Sequence, residues 1–118
     1  MKNQVDNQSW SDDFQGEITI CDPEGVILYM NKFAIEQFSK YGGKQLIGSN
    51  LLNCHPEPAR TKLNTMLEKQ LQNIYITQNG DKKKLIIQTP LYNEEKYSGF
   101  IELSISISED IQVLKRDQ

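Results

Sequence analysis

From Gly99 to Ser108 the chain alternates with a period of two. Ile101, Leu103, Ile105 and Ile107 fall on one side, and Glu102, Ser104, Ser106 and Ser108 on the other. Successive strand residues point to opposite faces, so this pattern commits the segment to an antiparallel strand. Its apolar face is expected on a core, and its polar face toward water or a partner. Two further segments read as its neighbours. Residues 74–78 and 84–92 are joined through Asn79-Gly80, a hairpin signal. Pro90 near the end of the second segment marks a bulge or an edge, since proline cannot donate to a sheet ladder.

The first half of the chain supplies another hairpin and the helices. Glu17-Ile18-Thr19-Ile20-Cys21 alternates like a strand, Asp22-Pro23-Glu24-Gly25 is a turn, and residues 26–30 form the returning strand. Asn31 is a suitable N-cap for a helix over 32–40, with Ala34, Ile35 and Phe38 as its apolar stripe and Gly42-Gly43 as its stop. After an irregular stretch with short helical turns, His55-Pro56-Glu57-Pro58 opens the longest helix. Ala59, Leu63, Met66, Leu67 and Leu71 recur on one side of it as the expected buried face. Residues 109–118 read as a frayed helix. The resulting order is two strands, several helices, then three strands: an α+β fold with a five-stranded antiparallel sheet and a helical insert packed on one face.

At 118 residues, with 37% hydrophobic and 25% charged, the chain is one domain with a sufficient core. We divide it into a polar, partly helical cap over 1–16, a core domain over 17–111 and a tail over 112–118. No apolar run approaches the roughly 18–20 residues of a membrane span, and no apolar signal region follows Met1, so the expectation is a cytoplasmic protein without a membrane partner. A net charge of −3 argues against nucleic acid. The charge is uneven: residues 1–24 carry net −5, residues 32–84 net +5 and residues 94–118 net −3. Lys82-Lys83-Lys84 reads as a solvated hairpin tip. Cys21 and Cys54 are read as free thiols, and one histidine, His55, is too few for a zinc site. No catalytic constellation is legible, so no enzymatic activity is expected.

The order of elements, with its local sequences, resembles the PAS sensor family over Ile18 to about Ile111. Residues 22–31, Asp-Pro-Glu-Gly-Val-Ile-Leu-Tyr-Met-Asn, are similar to that family's first hairpin and helix cap. Phe38, Tyr41-Gly42, Leu46-Ile47-Gly48 and Gly99-Phe100-Ile101 are similar to its continuation. Gly48 with Asn53-Cys54-His55-Pro56, and residues 99–103, resemble a subgroup of these modules found behind hemerythrin-like domains. The family's usual closing Asp-Ile-Thr-Glu is here Ser106-Ile107-Ser108-Glu109, and nine residues remain after it. The resemblance implies a sensory or interaction module of bacterial signal transduction, non-enzymatic, that binds a small ligand or partner and signals to a separate protein in trans.

The candidate site lies between the long helix and the last strand. Leu63, Met66 and Leu67 are expected to face Ile101, Leu103 and Ile105, with Phe38 and Tyr29 closing one side and Cys54 and His55 at the helix entrance. Such a cluster is either plain core or a cavity for an apolar ligand or small acid. The resemblance also admits haem between helix and sheet, with His55 as axial ligand and only metal-binding residue. The alternative for His55 is a loop ring bonded to a nearby backbone group. Flavin is disfavoured: where the light-sensing branch carries Gly-x-Asn-Cys, Gly48-Ser49-Asn50 is followed by Leu51. Trp10 and Phe14 are expected to cover the polar face of the sheet across a homodimer, the alternative being a cap within one subunit that leaves a monomer. A ligand-free dimerisation scaffold is the remaining reading.

Overall fold

Asp22 turns the chain back after the first strand because its side chain imitates a backbone turn. Its Oδ1 accepts hydrogen bonds from the N–H groups of Glu24 and Val26, both at 2.9 Å. The computed structural model describes residues 10–117, and the elements of that range run in the expected order. They are α1 (Trp10–Asp13), β1 (Glu17–Cys21), β2 (Ile27–Met30), α2 (Lys32–Gln37), α3 (Ala59–Lys69), β3 (Asn73–Asn79), β4 (Lys82–Asn93) and β5 (Lys96–Ile107). Three 3-10 turns, Ser39–Tyr41, Gly43–Leu46 and Leu51–Cys54, fill the span between α2 and α3. The strands form one antiparallel five-stranded sheet in the order β2-β1-β5-β4-β3, so the fold is α+β as expected.

Proline and glycine fall where sheet geometry requires them. Pro90 pairs with Phe100 on β5, but β3 stops at the Asn73–Gln88 pair, so no second neighbour asks for the missing N–H. Gly99 sits where β5 crosses close to β1. A Cβ there would stand 2.5 Å from the Cys21 carbonyl oxygen, so no other residue fits without moving the strands.

The helical side is held by two apolar clusters. Ile27, Met30 and Ala34 pack with Ile35, Phe38, Leu46 and Leu51 where β2 meets α2. Cys21, Met66, Leu67 and Phe100 pack with Leu51, Leu52, Leu63 and Tyr97 where α3 meets β1 and β5. The Tyr97 hydroxyl is buried there with no hydrogen-bond partner among the described residues. Helix α3 has no side-chain cap on Pro58; instead Glu57 Oε1 accepts from Thr61 N and Thr61 Oγ1, which holds its carboxyl below the ordinary value. The helix stops at Gln70, which takes the left-handed conformation.

Several sequence expectations change. Helix α2 ends at Gln37 instead of continuing to residue 40, because Phe38 leaves helical geometry and a 3-10 turn follows. Ala59 and Leu71 are exposed, Leu71 because it lies beyond the helix terminus. No helix forms over 109–117, where Ile111, Val113 and Leu114 have no surface to pack against and stay exposed.

The largest correction concerns which face of the sheet meets the helices. Phe100 pairs with Cys21, and both belong to the cluster under α3. By strand parity, Glu102 and Ser104 therefore face the helices too, beside Thr19 and Glu17 on β1 and Gln88 and Ile86 on β4. Ile101, Leu103 and Ile105 point to the opposite, outer face. There they join Ile20, Ile87 and Leu85, and beyond these Ile74 and Ile76 on β3. Ile74 and Ile76 are 54% and 55% exposed, so the outer face is the apolar one and the helix-facing side is mixed.

Asn31 ties the N-terminal half together. It is fully buried, and its side chain makes four hydrogen bonds, which exhausts the amide. Oδ1 accepts from Ile18 N and Ala34 N, and Nδ2 donates to Ser11 O and Gly16 O, at 2.9–3.0 Å. Asn31→Ala strands these backbone groups and removes the α2 cap. Urea denaturation is expected to show a loss of about 3 kcal/mol or more.

Candidate functional site

The two apolar clusters do not meet completely. Between α3, the Leu51–Cys54 turn and the sheet they leave a cavity of about 610 Å³, within the range of roughly 300–1,000 Å³ usual for small-molecule sites. Ile27, Met30, Leu46, Leu51, Leu63, Leu67 and Phe100 give apolar walls, and Phe38 and Tyr41 add rings. Thr19, Cys21, Cys54, His55, Gln88 and Glu102 contribute polar or polarisable groups.

Of the residues expected at the site, Phe38, Cys54, His55, Leu63 and Leu67 line this cavity. Met66 is buried one position away, in the core cluster. Tyr29 lies elsewhere. It pairs with Ile20 on the outer face, and its hydroxyl donates to Asp12 Oδ1 and meets Ser11 Oγ, both at 2.9 Å. Ile101, Leu103 and Ile105 are on the outer face as well, because the Cys21–Phe100 register turns the apolar side of β5 away from the helices. Trp10 begins α1 and is 52% exposed; Phe14 is partly buried, and its ring would touch a Cβ at Gly16. The outer face that such a cap would cover is apolar, not polar as the alternation suggested.

Sequence reasoning missed part of the lining, Cys21, Ile27, Met30, Tyr41, Leu46, Leu51 and Phe100 among it, and with them three polar residues, Thr19, Gln88 and Glu102. These three occupy matched positions on β1, β4 and β5: Thr19 pairs with Glu102, and Glu102 with Gln88. A partial signal was present, since Thr19 and Glu102 each stand between two apolar strand residues. Only the strand pairing places them together.

Glu102 is the polar centre of the wall. Its Oε1 accepts from Gln88 Nε2 at 2.7 Å, and Gln88 Oε1 in turn accepts from Asn73 Nδ2 at 3.3 Å. Burial raises the Glu102 pKa and the nearby Glu17 charge adds to the rise, while the Gln88 hydrogen bond and His55 oppose it. Glu17, by contrast, is paired with Lys84 at 3.3 Å. No arginine or lysine is among the cavity-lining residues. Cys21 is likewise perturbed: burial, then the Asp22 charge, push its thiol up to about 11, so it is protonated and unreactive at neutral pH.

His55 has a defined tautomer. Its Nδ1 lies 2.7 Å from Leu51 O, and a carbonyl can only accept, so Nδ1 carries the proton. In the neutral ring Nε2 is then a bare lone pair. Arg60 Nε donates to the His55 carbonyl at 3.0 Å and fixes the backbone there. Among the described residues no group of three or more His, Cys, Asp or Glu is placed to hold a metal ion, and no helix is long and apolar enough to cross a membrane.

The raised Glu102 pKa has a sign that can be checked. The folded state keeps a proton that the unfolded chain releases, so stability falls as pH rises from the ordinary carboxylate value through the folded one. Glu102→Gln keeps the shape without the charge. Its melting temperature is expected to exceed that of the wild type at neutral pH, with the gap closing below the ordinary carboxylate range.

Comparison with known proteins gives no matching family model and no matching curated protein. Solved structures do match. A C-terminal domain from Streptococcus mutans aligns with TM-score 0.67 and 19% identity, over 82% of this chain and 79% of that one. The PAS domain of Bordetella pertussis BvgS aligns with TM-score 0.63 and 18% identity, over 86% and 84%. The Vibrio cholerae receptor Aer2, described as a dual PAS-haem oxygen sensor, aligns with TM-score 0.62 and 16% identity, over 79% and 95%. With the sheet order, the helical insert and the cavity between them, these alignments identify the fold: this chain has the PAS fold.

Proposed function

We propose that the chain is a non-enzymatic sensory module of signal transduction whose cavity binds a small ligand. The observation that carries this reading is the cavity of about 610 Å³, apolar on most sides, with Glu102, Gln88 and His55 among its lining. The similarity to sensor and receptor domains supports it. Occupancy would act by population shift: a ligand touching Thr19, Phe100 and Glu102 favours one arrangement of β1 and β5 over another. The sheet carries that change to its apolar outer face, where we place a homodimer contact that includes the Trp10–Phe14 segment. Output then passes to a separate signalling protein.

Native mass spectrometry reads both parts of this proposal. A bound small molecule and a dimer mass are expected, with the ligand lost in Leu63→Trp, which fills the cavity. The dimer is expected to be lost in Ile74→Lys/Ile76→Lys, which charges the outer face. A ligand at a large excess over its Kd should raise the melting temperature by roughly 10 °C. A chain that neither copurifies with nor responds to any small molecule would leave only the ligand-free scaffold.

The His55 tautomer favours a second reading, haem. A ring with Nδ1–H held by a backbone carbonyl presents Nε2 as a ligand, and iron bound there would supply gas or redox sensitivity. The rest of the lining fits haem less well, since no cation stands ready for its propionates and Glu102 repels them. If haem is the ligand, added haemin gives a Soret band in the wild type and none in His55→Ala. A wild type that stays colourless removes this reading.

A further inference from the structure

Glu102 is a desolvated carboxyl with no arginine or lysine paired to it. Among the described residues the one ion pair is Lys84–Glu17, and the cavity lining contains no arginine or lysine. Gln88 Nε2 donates to Glu102 Oε1, and no described donor reaches Oε2. Gln88 is itself held from behind by Asn73, so the amide is committed to this carboxyl. A charged group in such a place carries a standing electrostatic cost, which a cation beside it would offset.

We infer that the ligand of this cavity is an organic ammonium, an apolar body carrying one positive charge, with Glu102 as its counter-ion. This rests on the reading of the cavity as a ligand site. The remaining lining suits both ends of such a molecule. Leu63, Leu67 and Phe100 accept the apolar body, and the rings of Phe38 and Tyr41 favour a cation near their faces. The ammonium brings several N–H donors, and the lining offers matching acceptors: Glu102 Oε2, the bare Nε2 of His55 and the Thr19 hydroxyl. An organic anion meets the opposite situation. It would be buried beside Glu102, with Glu17 adding to the repulsion and no fixed cation to receive it.

Three probes of matched shape separate the possibilities: phenethylamine, phenethyl alcohol and hydrocinnamate, titrated calorimetrically at neutral pH into wild type, Glu102→Gln and Leu63→Trp. The amine is expected to bind the wild type about tenfold or more tightly than the alcohol, as a charge-assisted contact implies, and hydrocinnamate weakest. Glu102→Gln should lose that preference while still binding the alcohol, which also shows that the variant is folded. Leu63→Trp should bind none. If the alcohol or hydrocinnamate binds the wild type as well as the amine does, or if Glu102→Gln keeps the preference, the cavity remains a ligand site and the cation assignment falls. If none of the three binds the wild type, both fall.

Discussion

The fold turns on one buried amide. Asn31 sits where β2 passes into α2, and its side chain reaches the start of β1, the first turn of α2 and the chain on either side of α1's end. Each of those backbone groups is at a terminus, where no ladder or helix partner exists. A single side chain with two acceptor positions and two donors satisfies them together. That arrangement fixes the angle between the helical layer and the sheet, and the Ile27–Met30–Ala34 cluster fills the angle so made. The cavity begins where this cluster ends and the one under α3 has not yet begun.

The two faces of the sheet divide the physical tasks. The helix-facing side is mixed because the helices do not cover it completely. Cys21 and Phe100 pack under α3, while Thr19, Gln88 and Glu102 front a space that side chains leave empty. The outer side is almost wholly apolar, from Ile20 and Ile101 across to Ile74 and Ile76. A polar wall toward a cavity and an apolar wall toward the exterior reverse the usual inside-out rule. Each is a surface that a ligand or a partner can complete.

Much of the architecture was legible because local chemistry dictates it. Asp22 at a turn, Asn31 as a cap, Asn79-Gly80 in a hairpin and the alternation of β5 all act within a few residues, and all lie where expected. His55 and Cys54 line the cavity, since the Leu51–Cys54 turn and α3 bracket it from one continuous stretch of chain. The assignment of Ile101, Leu103 and Ile105 to the site failed for a different reason. Alternation shows that a strand has two unlike faces, but it does not say which one the helices cover. The residue that settles it is Phe100, through its pairing with Cys21 and its place beneath Leu67 in the α3 cluster.

The sequence by itself therefore determined the elements, their order and their antiparallel pairing. These follow from hydrogen-bond periodicity and turn chemistry, which operate over short spans of chain. Only the tertiary structure decided which face of the sheet is inside, and with it the chemistry of the site. Glu102, Gln88, Asn73 and Thr19 are far apart along the chain and come together through strand register. A shift of one residue in that register would exchange the two faces. It would turn a cavity walled by a carboxyl and an amide into one walled by isoleucines.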